Sequence, residues 1–314
     1  MSRETLDQQQ DFLNILYFGE PKTGKTTASA SMARLGKIVH VDAEAGLKRG
    51  PLVDHGIPVG NIEVHREITV AALDSLFWEM KHELDDGDAL VGLVWDSISE
   101  SGKKLLEATA KVAYDKAAMA GNLKGRGEYD VYVEDYGTNT AEMRHLARQF
   151  RDLRCHTAFV ALDRRDVDKD DGTVKVGPDL TPRLAGDLLG FVDVICRCYT
   201  VSVEGEDEPE YWGAFRNFGK YVGGDRFGAI PPRLINPSFD RVLDYVNHDI
   251  DLESDSEMAY AKEKRDRKVE TPGKEPVERV AGEPTEQVAG DTVEEAKPKR
   301  ETRRATPKLA ATKS

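Results

Sequence analysis

The sequence predicts an α/β fold with a mostly parallel sheet flanked by helices, closed by antiparallel strands near its C-terminal end. Three observations carry this reading. The short apolar run Ile15-Leu16-Tyr17-Phe18 passes through a glycine-bounded turn into a helix-compatible stretch, Thr27 to Leu35. Residues 89 to 97, Ala-Leu-Val-Gly-Leu-Val-Trp-Asp-Ser, form a second continuous apolar run, the pattern of a parallel strand buried on both faces. Residues 191 to 203 and 210 to 218 flank the Glu-rich turn Glu204 to Glu208 and read as an antiparallel pair. A chain of 314 residues holds one such core of ordinary size with accessories.

The turn after the first strand, residues 19 to 26, reads Gly-Glu-Pro-Lys-Thr-Gly-Lys-Thr. Glycines at both ends allow the backbone to curl around a phosphate chain and point successive N–H groups inward. Lys25 adds a mobile cation for the β and γ phosphates and Thr26 a hydroxyl for Mg²⁺. The following helix presents its N-terminus to the same anion. The expected nucleotide-binding residues are therefore Gly19, Glu20, Pro21, Lys22, Thr23, Gly24, Lys25, Thr26 and Thr27, against the plainer alternative of a glycine-rich turn with an exposed lysine. A second carboxylate belongs at the end of another buried strand, and Asp96 supplies it, so Thr26 and Asp96 are the expected magnesium pair.

A third strand, Lys37 to Val41, runs into Asp42-Ala-Glu-Ala-Gly-Leu47. This string after the second strand resembles the element that carries the catalytic glutamate of RecA-type recombinases. The order that follows is similar too: Gly56 to Ile62, a helix of about 69 to 84, the strand ending at Asp96-Ser97, a helix with Met143, Arg144, Leu146 and Ala147, and the strand Thr157 to Leu162. More narrowly, the chain resembles the compact RecA-like P-loop ATPases of bacteriophages, often described as phage nucleotide-binding or AAA-type proteins and linked to single-strand annealing recombination. That match lies in Phe150-Arg-Asp-Leu153, Val176-Gly-Pro-Asp-Leu180 with Leu184-Ala-Gly-Asp-Leu188, and Gly224-Asp-Arg-Phe-Gly228. It covers about residues 12 to 246.

The resemblance implies ATP hydrolysis with Mg²⁺, action on single-stranded DNA, a homo-oligomer, and a single-strand DNA-binding protein as a possible companion. Lys25 and Glu44 become the catalytic candidates, Glu44 as general base. Two alternatives for that position stay open: Glu44 caps a loop or helix start, or Asp42 is the functional acid. His40 reads as a satisfied strand histidine. A sensor of the γ phosphate is expected after the strand at 157 to 162, where Asp163 or Arg164 stands in place of the usual Asn-Gln. The next loop is acidic and reads equally as a hairpin turning at Asp171-Gly172, with Val174 to Val176 returning. Lys220 and Arg226 are candidates for a basic residue reaching a neighbouring subunit's γ phosphate. Lys124 and Arg126, in the basic stretch Lys103 to Arg126, stand where RecA relatives place a DNA loop; the alternative is a solvated helix and linker. Only Met1 to Asp11 precede the core, so filament formation through an N-terminal element is not expected, while a ring or another helical assembly stays open.

Charge and composition bound these readings. Residues 251 to 314 hold 14 basic and 15 acidic residues, leaving 30 basic against 42 acidic in residues 1 to 250. A core this acidic repels duplex DNA, so any nucleic-acid contact must be local or arise in an oligomer. The reading divides the chain into a short extension (1–11), a RecA-like ATPase domain (12–250) and a charged tail (251–314) that is disordered except where a helical start near 254 to 268 stays open, with Tyr260 its single aromatic residue. Cys155, Cys196 and Cys198 lack metal-like spacing and read as reduced, buried thiols. With no secretory segment or membrane span, a cytoplasmic location is expected, that of the host for a phage product. Two other functions remain: a P-loop small-molecule kinase, for which Arg164-Arg165 would be the lid, and a non-hydrolysing nucleotide-switch scaffold of a replication or recombination complex.

Overall fold

The computed structural model describes residues 12–167, 172–203, 208–259 and 261–262. The extension 1–11 and most of the tail lie outside the described residues. Strand β1 (Asn14–Gly19) leads to helix α1 (Lys25–Ala30), which continues as a 3-10 turn, Ser31–Arg34. Then come β2 (Lys37–Asp42), α2 (Arg49–Asp54), β3 (Ile62–His65), α3 (Val70–Asp86), β4 (Leu90–Asp96) and α4 (Ile98–Met119). The second half holds α5 (Val133–Arg151), β5 (His156–Val167), β6 (Val174–Pro178), α6 (Pro182–Phe191), β7 (Val194–Val201), β8 (Glu210–Ala214), β9 (Gly224–Asp225), β10 (Arg233–Ile235) and α7 (Phe239–Val246).

The strands join in the order β10-β8-β7-β1-β5-β4-β2-β3, with β6 on β5 and β9 on β7. Pairings from β7 through β1, β5, β4 and β2 to β3 are parallel, and those of β8, β10, β6 and β9 are antiparallel. The architecture is thus the expected mixed α/β sheet, with the antiparallel strands added after the parallel core. The apolar runs serve both faces because strand side chains alternate. In β1, Leu16 and Phe18 enter the core that holds Leu73, Met143 and Phe150, while Ile15 and Tyr17 enter the one that holds Ala28, Phe239 and Tyr245. Trp95 on β4 is fully buried, and its indole N–H donates to Ser101 Oγ at 2.8 Å, which leaves this large ring with no unmet donor.

Two expectations about extent change. The stretch Lys103 to Arg126 is helix to Met119, so its first lysines stand on α4 and only Ala120 onward forms the connection to α5. Packing also continues past residue 250. Arg241 on α7 pairs with buried Asp255, the Tyr245 hydroxyl donates to the same carboxylate at 2.7 Å, residues 256–259 are helical, and Ala261 is buried. A guanidinium on α7 and a carboxylate beyond it satisfy one another, which the low hydrophobicity of the segment hides. The hairpin reading of 163–178 matches the antiparallel β5–β6 pair, although residues 168–171 lie outside the described ones. No helix among the described residues is long and apolar enough to cross a membrane.

His156 opens β5, where its Nδ1 accepts the Leu13 N–H at 2.9 Å and its ring lies edge-on to Phe12 and Phe239. Burial pushes its pKa down to about 4. The unfolded chain therefore binds a proton that the folded chain refuses. Stability from this group is full above about pH 6.5 and falls as pH drops towards 4, at up to about 1.4 kcal/mol per pH unit. His156→Asn keeps an acceptor for Leu13 and removes the titration. Urea unfolding at pH 7 and pH 5 should show a smaller loss in the variant than in the parent; equal losses would clear His156 of the effect.

Candidate functional site

The phosphate loop lies between β1 and α1 as its sequence requires. Gly19 and Gly24 have φ of 155° and 80°, and Lys22 is left-handed at 65°. This alternation turns successive amides to the inside of the loop. A Cβ on Gly19 would stand 2.3 Å from the Cys198 carbonyl oxygen on β7, so close strand contact as well as curvature demands glycine there. Thr23 Oγ1 ties the loop by donating to the Glu20 carbonyl at 2.8 Å. Lys25 is buried, and its Nζ donates to the carbonyls of Gly19 at 2.9 Å and Glu20 at 2.7 Å. Burial lowers its pKa, opposed by the nearby Cys198, Asp96, Asp163 and Glu44.

The ends of β2 and β4 meet the start of α1. Thr26 Oγ1 donates to Asp96 Oδ2 at 2.5 Å, joining the two residues expected to act on magnesium across 70 positions of sequence. Burial raises the Asp96 pKa to about 6, with the Thr26 hydrogen bond acting in the opposite sense. One hydroxyl and one carboxylate beside a phosphate cradle form the donor set that suits Mg²⁺, which keeps waters and takes phosphate oxygens in addition to few protein ligands. Among the described residues no cluster of three or more His, Cys, Asp or Glu makes a closed metal cage.

Asp42 and Glu44 separate in their surroundings. Asp42 is buried at the end of β2, and its Oδ1 accepts the N–H groups of Gly46 at 2.8 Å and Leu47 at 3.4 Å, so it shapes the loop. Glu44 is exposed on that loop, with Oε1 accepting the Ser97 hydroxyl at 2.7 Å. Ser97 Oγ also accepts the Glu100 N–H at 3.1 Å as the N-cap of α4. One serine, the residue after Asp96, therefore couples Glu44 to the start of a long helix. His40 differs from its expected character: it is fully buried on β2, its pKa is pushed down to about 4 by burial, and neither ring nitrogen has a hydrogen-bond partner.

A cleft of about 670 Å³ opens beside the phosphate loop, within the size of small-molecule sites. Its walls come from α1, the 46–57 segment, Tyr211 on β8 and the turn Asn236-Pro237-Ser238. The Tyr211 ring lies against Gly24. Tyr211, Asn236 and Leu52 are lining residues that motif reading missed. Nothing local marks them, because the antiparallel strands bring Tyr211 back to the loop only once the sheet is complete.

The remaining candidates divide. Asp163 is half-buried, two residues past Ala161, the last buried position of β5, and lies within electrostatic reach of Lys25. Arg164 is committed elsewhere, to Asp166 and to the Leu180 carbonyl. Arg226 binds Asp193 at 3.0 Å and the Gly190 carbonyl within its own chain, and Lys220 lies 5.3 Å from the Tyr221 ring centre. The assignment of Arg126 to DNA is corrected. Its guanidinium pairs with Asp135, donates to the Asp130 and Ala110 carbonyls, and stacks on Tyr132 at 4.5 Å. Arg126 thus fastens the α4–α5 connection, whereas Lys124 is exposed.

A family model described as an AAA domain matches residues 11–227, well over half of the chain. No curated protein matches it.

Gly19→Ala is expected to cost about 2–3 kcal/mol in chemical denaturation, the price of overpacking against a fixed backbone. Gly46→Ala, whose Cβ would meet only the Glu44 Cβ at 3.9 Å, is the near-neutral control. Equal stability of the two variants would show that β7 does not confine the loop.

Proposed function

The chain belongs to the AAA domain family, and from that premise we propose that it is a magnesium-dependent ATPase of RecA-like build. We further propose that it acts as a homo-oligomer on single-stranded DNA, in recombination or annealing of the bacteriophage kind. The AAA domain is a nucleotide-binding and hydrolysing P-loop domain, so the finer statement concerns cofactor, effector and setting. The observation that carries the hydrolytic reading is the junction of Thr26, Asp96, Ser97 and Glu44 at one end of the phosphate loop.

In this reading the loop amides and Lys25 hold the triphosphate, with the ammonium exchanging the Gly19 and Glu20 carbonyls for phosphate oxygens. Thr26 and Asp96 would hold Mg²⁺, which when bound neutralises charge on the β and γ phosphates. Glu44 is exposed to solvent yet oriented through Oε1 by Ser97, so its second oxygen can accept a proton of water attacking in line. Asp42 keeps that carboxylate in place through the loop amides. Asp163 stands where the γ phosphate is sensed. Tyr211 and the Asn236 turn offer an aromatic face and polar groups for the base.

Support for the DNA part comes from the RecA-like order of strands and residue strings. With Arg126 engaged, Lys103 paired to Asp179, Lys104 donating to the Ala43 carbonyl and Lys111 paired to Asp115 and Glu128, exposed Lys116 and Lys124 are the cations this region offers. So sparse a set fits contact gathered over several subunits better than binding by one. A small-molecule kinase gains less support, since Arg164 is committed and Arg165 alone approaches the loop, at 3.8 Å from Glu20.

Glu44→Gln should lower ATP turnover by about 10²–10⁴-fold while calorimetry shows ATP binding retained; unchanged turnover removes Glu44 from the role. Phosphate release measured against increasing single-stranded DNA should rise, and the rise should weaken at higher salt as counterions compete. Turnover indifferent to DNA would discard the DNA part and keep the ATPase. Absence of turnover would favour the nucleotide-switch scaffold.

A further inference from the structure

His40 is a polar ring with no surface exposed and no partner for either nitrogen. Leaving such a group unmet costs about 1–3 kcal/mol, and an apolar residue on this strand would avoid that. Its place in the sheet indicates a use. Strand alternation sends Val39 and Val41 into the core of Trp95 and Phe150, and Ile38 into the core under α1. His40 and Asp42 follow Ile38 to the α1 side. Register sets His40 beside Val94 and Asp42 beside Asp96. Across that step, His40 Nε2 lies 3.8 Å from Asp96 Oδ2, the oxygen that accepts the Thr26 hydroxyl.

We propose that His40 is a positioning residue for the Asp96 carboxylate, donating its Nε2–H to Oδ2 in the nucleotide-loaded site. This rests on the reading of Asp96 as a magnesium residue. A carboxylate oxygen accepts two hydrogen bonds, so the Thr26 hydroxyl and the imidazole can share Oδ2. Closing 3.8 Å to a hydrogen bond takes a movement of about 1 Å. Thr26 approaches from α1 and His40 from the neighbouring strand, and two donors from different elements fix the plane of the carboxylate as one donor cannot. Groups in this supporting position govern metal affinity without touching the metal. Val94 and Val64, the residues paired with His40 on either side, offer no side-chain hydrogen bond that would compete.

The test uses Mn²⁺ as probe, with its affinity for the full chain bound to a non-hydrolysable ATP analogue read by electron paramagnetic resonance. His40→Phe fills a similar space without a donor, and should weaken Mn²⁺ by about 10–100-fold while the thermal midpoint does not fall. His40→Gln restores an N–H and should recover most of that loss. In the unsubstituted protein, ¹⁵N-histidine spectra should show His40 as the Nε2–H tautomer, its proton moving downfield when Mg²⁺ and the analogue are added. Parent-like Mn²⁺ affinity in His40→Phe, equal losses in both variants, or an Nδ1–H tautomer would each overturn the proposal. Asp96→Asn separates it from the reading beneath: undiminished Mn²⁺ affinity there refutes the metal assignment, whereas a loss there with none in His40→Phe refutes only the role of His40.

Discussion

The hydrogen bond from Thr26 to Asp96 is the contact on which the site depends. It joins the first turn of α1 to the end of β4, two elements that meet only because β1 and β4 both flank β5 in the sheet. Everything else in the site is arranged about that junction. Gly19 lets β1 stop against β7 without a side chain between them, and Lys25 turns back over the loop. Asp96 leads directly into Ser97, which holds Glu44. Parallel strands place all these C-terminal ends on one edge, which is why open α/β sheets collect their ligands there.

The electrostatics of this edge follow from burial. Lys25 and Asp96 are each made less willing to carry charge, the lysine lowered and the carboxylate raised to about 6, by the same loss of solvent. Opposite shifts on neighbouring groups mark an environment that stabilises charge only when further charge enters it. An acidic chain that shelters one ammonium against a loop of inward amides is suited to a polyanion brought in with its counter-cation. The same burial leaves His40 uncharged and unmet within β2, 3.8 Å from Asp96.

What was legible in the sequence was whatever is fixed by neighbours along the chain. The phosphate loop needs eight consecutive residues and its flanking strand and helix, so its place could be read directly. Asp96 was legible because a doubly buried strand is a continuous apolar run and its end is abrupt. Asp42 and Glu44 were recognisable as a pair, but only the amides of Gly46 and Leu47 show that Asp42 serves the loop while Glu44 faces solvent. Tyr211 and Asn236 were invisible because Tyr211 stands 187 positions and Asn236 212 positions beyond Gly24 of the loop they line. Arg126 misled because a basic residue among glycines looks solvated, whereas Asp135, a few residues further on, takes its charge. After residue 250 a helical start was legible, but the pairing of Asp255 with the buried Arg241 was not, because an acidic segment reads as solvated.

Ser97 caps α4 and binds Glu44 with the same oxygen. The 22 residues of α4 make a rod about 33 Å long, anchored at one end to the hydrolytic edge and at the other to a clasp of Arg126, Asp135 and Tyr132. Because Leu105 and Ala110 bury the middle of this rod, its two ends are held by one packed element, and the hydroxyl that orients Glu44 is also the one that fixes where that element begins.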